Sequence, residues 1–396
     1  MSVDLDSSTP AAARNGVGES GGEGAALREA IRGRALELGF AACGCTSAAD
    51  LDCGRLLDEW LAAGRHGLMD YLERDPHSRI SVRSRLATAA SVIVVAWKYG
   101  AAGLAPDLDW RERLTGRVAA YALGEDYHSH VTDKLEQLAR FVRECGSRAT
   151  AIHVDGGPLV ERHLARRAGL GWYGHNTMLL HPSYGSTSLL GCLLTDLALP
   201  ADPPFSAEHC GSCRACLAAC PTGALDHGPT IDAHLCISYL TIELRGPLPA
   251  QLRAGIGNWV FGCDECQDVC PWNHAPYAQQ ELLRPSLPGL LTMSDDEFRQ
   301  IYSGSALLRP KRRGLARNAA VALGNSANPA AVQALARALA EHDEPLVRAH
   351  AAWALGQIAG AEAERSLTRA ETSDPVAPVR REANSALALI RRGNAN

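Results

Sequence analysis

Nowhere in its 396 residues does the chain hold an apolar run long enough to span a membrane, so no membrane-spanning helix is expected. Residues 1–24 are rich in Gly, Ser, Ala and acidic side chains, and they lack the apolar core of a secretory signal. The expectation is a disordered tail on a cytoplasmic protein. An excess of basic charge is missing too: 39 Lys and Arg stand against 44 Asp and Glu, a formal net charge of −5, which does not advertise nucleic-acid binding. The basic residues are unevenly placed, however. Lys311, Arg312, Arg313 and Arg317 form a short patch continued by Arg348, Arg380, Arg381, Arg391 and Arg392, although such patches are more often plain solvated surface. Finally, no nucleotide fingerprint appears in its proper setting. Gly169-x-Gly171-x-x-Gly174 has the letters but follows a charged helical run instead of a strand, which excludes the dinucleotide-binding reading.

Cysteine, by contrast, is plentiful, with thirteen residues. Seven fall into two runs, Cys210-x2-Cys213-x2-Cys216-x3-Cys220-Pro221 and Cys263-x2-Cys266-x3-Cys270-Pro271. This is the ligand spacing of a module carrying two 4Fe–4S clusters, in which the fourth cysteine of each run serves the other cluster. Cys210, Cys213 and Cys216 then hold the first cluster with Cys270, while Cys220 crosses to the second. The second run is one ligand short, because Val260 stands where its first cysteine belongs. Cys236, between the runs, completes the set of Cys220, Cys236, Cys263 and Cys266. The proline after each crossing cysteine turns the chain away and donates no amide.

Two bland readings compete. Zinc sites also use Cys-x2-Cys pairs, but rarely the triple run closed by x3-Cys-Pro. Disulfides suit neither the tight spacing nor the missing secretory signal. The other cysteines, Cys43, Cys45, Cys53, Cys145 and Cys192, show no ligand spacing, and Cys192 inside an apolar run reads as a small core residue.

The expected fold class is α+β, in several parts. Between residues 25 and 205, helical stretches (Ala26–Leu38, Cys53–Ala63, Thr132–Glu144) alternate with strand-like runs at Ser91–Ala96, Ala151–Val154 and Ser188–Leu194, enough for a mixed domain that buries its own core and a cofactor. A ferredoxin-like two-cluster module follows over 206–285, then a linker over 286–310. The segment 311–396 carries an internal repeat: Asn318-Ala-Ala-Val-Ala-Leu-Gly324 recurs as His350-Ala-Ala-Trp-Ala-Leu-Gly356 and loosely as Glu382-Ala-Asn-Ser-Ala-Leu387, 32 residues apart each time. Short Ala/Leu-rich helices at such a period predict a C-terminal α-helical HEAT-like array offering an extended binding surface.

Clusters deliver electrons without choosing a substrate, so the chemistry belongs in the mixed domain. Its candidate acids and bases are Asp126, His128, Asp155 and Glu161. Asp155 follows a short apolar strand and precedes Gly156-Gly157-Pro158, a turn that would project it from a strand end. Partial desolvation there would raise its pKa and make it a general acid. Alternatively it caps a helix beginning near Pro158.

Several strings together resemble the epoxyqueuosine reductases: His66-Gly-Leu-Met-Asp-Tyr71, Ala122-Leu-Gly-Glu-Asp-Tyr-His128, Val154-Asp-Gly-Gly-Pro-Leu-Val-Glu-Arg162, Ala168-Gly-Leu-Gly-Trp172, Cys236-Ile-Ser-Tyr-Leu-Thr-Ile-Glu243 and Phe261-Gly-Cys-Asp-Glu-Cys-Gln-Asp-Val-Cys-Pro-Trp272. The resemblance runs from about residue 26 to the C-terminus. It implies a cobalamin-dependent reductase that removes the epoxide oxygen from the wobble base of tRNA carrying epoxyqueuosine, in the last step of queuosine synthesis. By the same resemblance, the two clusters reduce the cobalt to its nucleophilic Co(I) state with electrons from an external donor, and Asp155 matches the family's proton donor. Asp155, Arg79, Thr177 and Ser238 are expected near the corrin, and basic residues of the array become candidate contacts to tRNA phosphates. A monomer is expected. Two positions depart from the family's usual pattern: Ala120 and His175 stand where Arg and Lys are common. The alternatives are a reductive dehalogenase-like corrinoid enzyme, which would not need a basic helical tail, and a non-catalytic dicluster electron carrier, which would leave the mixed domain and Asp155 unemployed.

Overall fold

The computed structural model describes residues 19–99, 109–225, 230–273 and 284–393. Of the expected disordered tail, residues 1–18 lie outside this set. Residues 19–24 are not a tail but the first turns of a helix, since α1 spans Glu19–Glu37.

The mixed domain is built on an antiparallel sheet in the order β1-β2-β7-β4, with β1 at Ala42–Ser47, β2 at Ser91–Lys98, β4 at Thr150–His153 and β7 at Ser188–Thr195. Two shorter pairs complete the strands: β3 (Arg117–Val118) with β8 (Trp259–Phe261), and β5 (Trp172–Tyr173) with β6 (Leu179–Leu180). The β-branched run Val92-Ile93-Val94-Val95 favours extended backbone and alternates between two buried faces. Val92, Val94, Cys192 and Leu194 pack on Leu164 and Ala165 of α6 (Glu161–Arg167). Ile93, Val95 and Leu193 pack on Ile31 and Ala35 of α1 and on Val131, Leu135 and Leu138 of α5 (Tyr127–Glu144). Cys192 is fully buried, the core residue expected of it. Short helices α2 (Gly54–Ala62), α3 (Pro76–Ile80) and α4 (Trp110–Arg113) fill the connections.

In the cluster module the helices are short: α7 (Ala215–Ala219), α8 (Ile237–Ile242), α9 (Ala250–Arg253) and α10 (Glu265–Asp268). The stretch expected as a linker, 286–310, is instead structured. It forms α11 (Leu287–Thr292) and α12 (Asp295–Ile301), and it buries Leu287, Leu290, Leu291, Phe298 and Leu307 in the core shared with the array. Its capping box at Ser294–Glu297 and the Pro288 near the start of α11 are helix-start signals that composition alone does not weigh.

The array comprises α13 (Lys311–Ser326), α14 (Val332–Glu341), α15 (Pro345–Ile358), α16 (Ala361–Ser373) and α17 (Ala377–Gly393). The three copies of the repeat fall on α13, α15 and α17. Its terminal glycine marks a helix crossing: a Cβ on Gly324 would lie 2.8 Å from Ala354 Cα, and one on Gly356 would lie 2.7 Å from Ala386 Cβ. The repeat's first position does something else. Asn318 Nδ2 donates to Thr241 O and Val260 O, His350 Nε2 accepts from Leu248 N, and Glu382 accepts from Arg253 Nη1. Successive repeats thus present one polar side chain each to the cluster module. No helix among the described residues is long and apolar enough to cross a membrane.

Candidate active site

Cys210, Cys213, Cys216 and Cys270 line one cleft with His175, Asn176, His209 and Trp272. Beside it, Cys236 lies within electrostatic reach of Cys220, Cys263 and Cys266. The two groups adjoin where Cys266 approaches Cys216. The seven cysteines of the two runs and Cys236, which was expected to fill the gap at Val260, are therefore brought together in two fours.

The odd position in the second run has a structural reason. Val260 is wholly buried in β8, so the chain is still in the core where a first ligand would stand. It leaves through Gly262, whose φ of +67° and whose distance of 2.5 Å from a would-be Cβ to Ala119 Cβ both demand glycine. The Gly262 N–H donates to Thr241 Oγ1 at 2.9 Å, which ties the turn before Cys263 to the helix that follows Cys236. Asn318 bridges the same two segments at 2.9 and 2.7 Å. Arg317, wholly buried, donates to the carbonyls of Leu240, Leu244 and Gly246. Sequence reasoning missed Thr241 and Asn318, and it took Arg317 for a candidate phosphate contact. Burial overturns that role for Arg317, and also for Arg348, which is buried against Asp374 at 2.8 Å. Lys311, Arg381, Arg391 and Arg392 remain exposed.

Asp155 stands at the end of β4 with a φ of +46° and a carboxyl that is 61 % exposed. It caps no helix: α6 begins only at Glu161, behind Val160. Instead its Oδ2 accepts a hydrogen bond from the Tyr127 hydroxyl and lies 3.4 Å from His128 Nε2. Its backbone N–H donates to Glu161 Oε1 at 2.7 Å. The opposite ring nitrogen, His128 Nδ1, lies 2.7 Å from Oδ1 of Asp126, the cap of α5. Tyr127 and His128 reach Asp155 side by side because they occupy the first turn of α5, their rings stacked at 4.1 Å.

These contacts reverse the expected titration. Hydrogen bonding from His128 lowers the Asp155 carboxyl to about 2, against the opposing effect of partial burial. The bond to Asp155 raises the His128 imidazole. Burial, in turn, pushes Glu161 up to about 8. The desolvated carboxyl in this corner is Glu161, 6 residues beyond the one that was expected to show the shift.

Tyr71 lies within electrostatic reach of Asp155, Arg79, Glu243 and Arg309. Its loop is fixed to the cluster module, since the Leu68 N–H donates to the Tyr239 hydroxyl at 2.8 Å and Tyr239 belongs to α8. Leu68 and Tyr71 remain 61 % and 41 % exposed. Arg79, half-buried, is spent on the carbonyls of Tyr71 and Leu72. Ser238 is half-buried in α8, two residues past Cys236. Thr177 is buried at a φ of +64° in the turn between β5 and β6, where its carbonyl accepts from Arg162. That turn touches both cysteine runs: His175 Nδ1 lies 2.8 Å from Cys213 O, and Asn176 Nδ2 donates to Cys266 O at 3.4 Å. Arg214 converges on the same Cys213 carbonyl at 2.8 Å, so a cation accompanies His175. At the other departure, the Ala120 N–H donates to Asp264 Oδ2 at 2.6 Å.

Known proteins are similar to this chain over most of its length. The chain is 38 % identical to the epoxyqueuosine reductase of Escherichia coli over 341 residues, covering 84 % of this chain and 89 % of that one. It is 39 % identical to the epoxyqueuosine reductase of Pseudomonas aeruginosa over 345 residues, covering 84 % and 94 %. The chain belongs to the epoxyqueuosine reductase family. Residues 79–156 match the family described as epoxyqueuosine reductase QueG, DUF1730, residues 209–273 the 4Fe-4S double cluster binding domain, and residues 305–388 HEAT repeats. A crystal structure of epoxyqueuosine reductase with an epoxyqueuosine-modified tRNA-Tyr stem loop superposes with a TM-score of 0.85 at 30 % identity, covering 92 % of this chain and 99 % of that one. The enzyme from Bacillus subtilis, solved with its catalytic aspartate loop swung out of the active site, gives 0.83 at 29 % identity, covering 92 % and 99 %. This family member is accordingly an oxidoreductase with a mixed sheet domain, a double-cluster module and HEAT-like repeats.

Proposed function

We propose that this chain reduces epoxyqueuosine to queuosine at the wobble position of tRNA, using cobalamin reduced through two 4Fe–4S clusters, with Asp155 as the proton donor. The carrying observation is the placement of an exposed Asp155 beside a loop that is itself hydrogen-bonded to the helix following Cys236. Chemistry and electron supply are thus one loop apart.

The residues present fit both cofactors. Eight thiols stand in two adjoining fours, yet no three His, Cys, Asp or Glu among the described residues are close enough to hold a single metal ion. A lone tetrahedral zinc would draw its sulfurs to about 3.8 Å apart, given Zn–S bonds of about 2.3 Å, whereas a cubane core keeps them farther apart. The proposed ligands are Cys210, Cys213, Cys216 and Cys270 for one cluster and Cys220, Cys236, Cys263 and Cys266 for the other. The exposed, partly apolar face of Leu68 and Tyr71 beside Asp155 suits a flat macrocycle, with Arg79, Thr177 and Ser238 among the residues that would flank it. Bound cobalamin supplies a reduced cobalt nucleophilic enough to open a strained ether.

The chain's own residues do the rest. Tyr127, His128 and the Glu161 latch on its backbone fix Asp155 in place. Protonation of the departing oxygen by Asp155 avoids expelling a poor alkoxide leaving group. Lys311, Arg381, Arg391 and Arg392, exposed on the array, supply cations for tRNA phosphates. The chain acts as a monomer fed by an external electron donor.

Anaerobic reconstitution with iron, sulfide and cobalamin tests this reading. With a low-potential reductant, queuosine should form in epoxyqueuosine-containing tRNA. Asp155→Asn should keep the iron content and the cobalamin spectrum while turnover drops at least about 100-fold. Full activity in that variant removes Asp155 as proton donor. Cobalamin binding without queuosine formation points to a dehalogenase-like substrate, and absence of cobalamin binding refutes the corrinoid assignment.

A further inference from the structure

We propose that His128, anchored by Asp126, is the proton store that reloads Asp155 during the reaction. This rests on the reading above and follows from its stoichiometry. Converting an epoxide to an alkene breaks two C–O bonds and releases the oxygen as water, which consumes two electrons and two protons. The electrons come from the external reductant through the clusters. A single carboxyl group delivers one proton at a time, so the second must reach Asp155 from a neighbour or from solvent.

The geometry selects the neighbour. His128 Nε2 lies 3.4 Å from Asp155 Oδ2, at the outer limit of a direct hydrogen bond, and such contacts often tighten in the substrate complex. On the far side of the ring, Nδ1 is held 2.7 Å from Asp126 Oδ1, and a second carboxylate favours the doubly protonated ring. The imidazole is 37 % exposed, so solvent can restore its proton. In the transfer, the Nε2–H bond breaks as an Oδ2–H bond forms. Asp155 then gives that proton to the leaving oxygen, and the neutral ring takes another from water.

The other groups facing this corner are less suited. The Tyr127 hydroxyl also donates to Asp155 Oδ2, but burial and the Asp155 charge raise its pKa, so it orients the carboxylate without giving up its proton. Glu161 meets the backbone N–H of Asp155, not its carboxyl. Arg309 is paired with Glu243, Arg79 with two carbonyls, and Tyr121 is half-buried and raised by burial. Tyr71 is likewise raised by burial. Among these groups, only His128 combines a protonated form favoured by two carboxylates with access to both Asp155 and solvent.

Ring NMR of the full-length, cluster-loaded protein reads the store directly. The His128 resonance should titrate above the ordinary 6.5 and move down in Asp126→Asn. An imidazole already neutral at pH 6.5 overturns the proposal. Single-turnover rates supply the second readout. In the wild type the rate should fall as pH rises through the His128 titration. His128→Gln should lose that limb, slow about 100-fold, keep its iron and tRNA binding, and recover in proportion to added imidazolium. A His128→Gln enzyme with the wild-type rate, or one that imidazolium does not restore, sinks the relay. Failure of the underlying function looks different: the wild type itself then forms no queuosine, whatever His128 does.

Discussion

The two cysteine groups are built in opposite ways. Three members of the first come from one short stretch, Cys210 to Cys216, and the group borders solvent at the exposed Cys213. Its surroundings are aromatic, with Trp172, His209 and Trp272 in mutual edge or tilted contact at 4.8 to 5.7 Å. The second group gathers Cys220, Cys236 and the Cys263–Cys266 pair from three separate segments, two of which meet directly where Gly262 N–H donates to Thr241 Oγ1. The HEAT-like array adds to this: Asn318, His350 and Glu382, one per repeat, each reach the cluster module. An array that looked like a surface for partners spends one edge as scaffolding for the interior group.

Removing a ligand from each group sharpens the difference most strongly. Cys236→Ser should lower the iron content from about eight to about four atoms per chain, as one of two cubanes is lost, and should abolish turnover. Cys216→Ser should remove the other four. Iron and acid-labile sulfide analysis, with electron paramagnetic resonance after reduction, reads both. About eight irons in Cys236→Ser would remove Cys236 from the ligand set and leave the second group incomplete.

The scaffolding can be broken without touching a cysteine. Arg317 is a buried cation whose donors are shared among three carbonyls and the Asn318 side chain. Burial lowers it only to about 9, so it stays charged at neutral pH. Arg317→Met leaves those carbonyls without their donor and should destabilise the chain by about 3 kcal/mol. Denaturant unfolding gives the magnitude, and iron should be lost from the second group before the first. The exposed Arg381 is the control, its replacement by Met staying within about 0.5 kcal/mol. Equal effects at the two arginines would end the distinction between scaffold and surface.

How much of this was legible in the sequence follows the same divide. Spacing marked seven of the eight cysteines and left Cys236 to fill the gap at Val260, and apolar runs marked three of the four strands of the main sheet, β2, β4 and β7 but not β1, because both signals are local. The 32-residue repeat marked the array, but not what its first position does, since Asn318, His350 and Glu382 share no chemistry beyond polarity. The charge of Arg317 and Arg348 was visible while their burial was not. The 286–310 stretch looked like a linker because its helices are short and depend on packing against α13. At Asp155 the residue was legible and its titration was not: the sign turned on His128 and Tyr127, which approach from a helix that starts 28 residues earlier in the case of Tyr127.

The smallest effect concerns pH and the middle stitch of the array. His350 is wholly buried, and its Nε2 accepts the Leu248 N–H at 3.1 Å while Nδ1 faces Leu346 O at 2.7 Å. An acceptor nitrogen must be unprotonated, and burial together with the nearby Arg253 lowers the ring from 6.5 to about 3. The unfolded chain therefore binds a proton near 6.5 that the folded chain refuses until about 3. Stability from this group is complete above 6.5 and falls as pH drops below it. Other buried imidazoles act in the same window, His153 lowered to about 4 among them, so the difference between two proteins is the informative quantity. His350→Gln retains a polar side chain that does not titrate. It should cost about 1 kcal/mol at pH 7.5, and that deficit should shrink or reverse by pH 5 in denaturant unfolding. A deficit that stays constant across the range would mean that folding does not shift the His350 titration and that the stitch is made some other way.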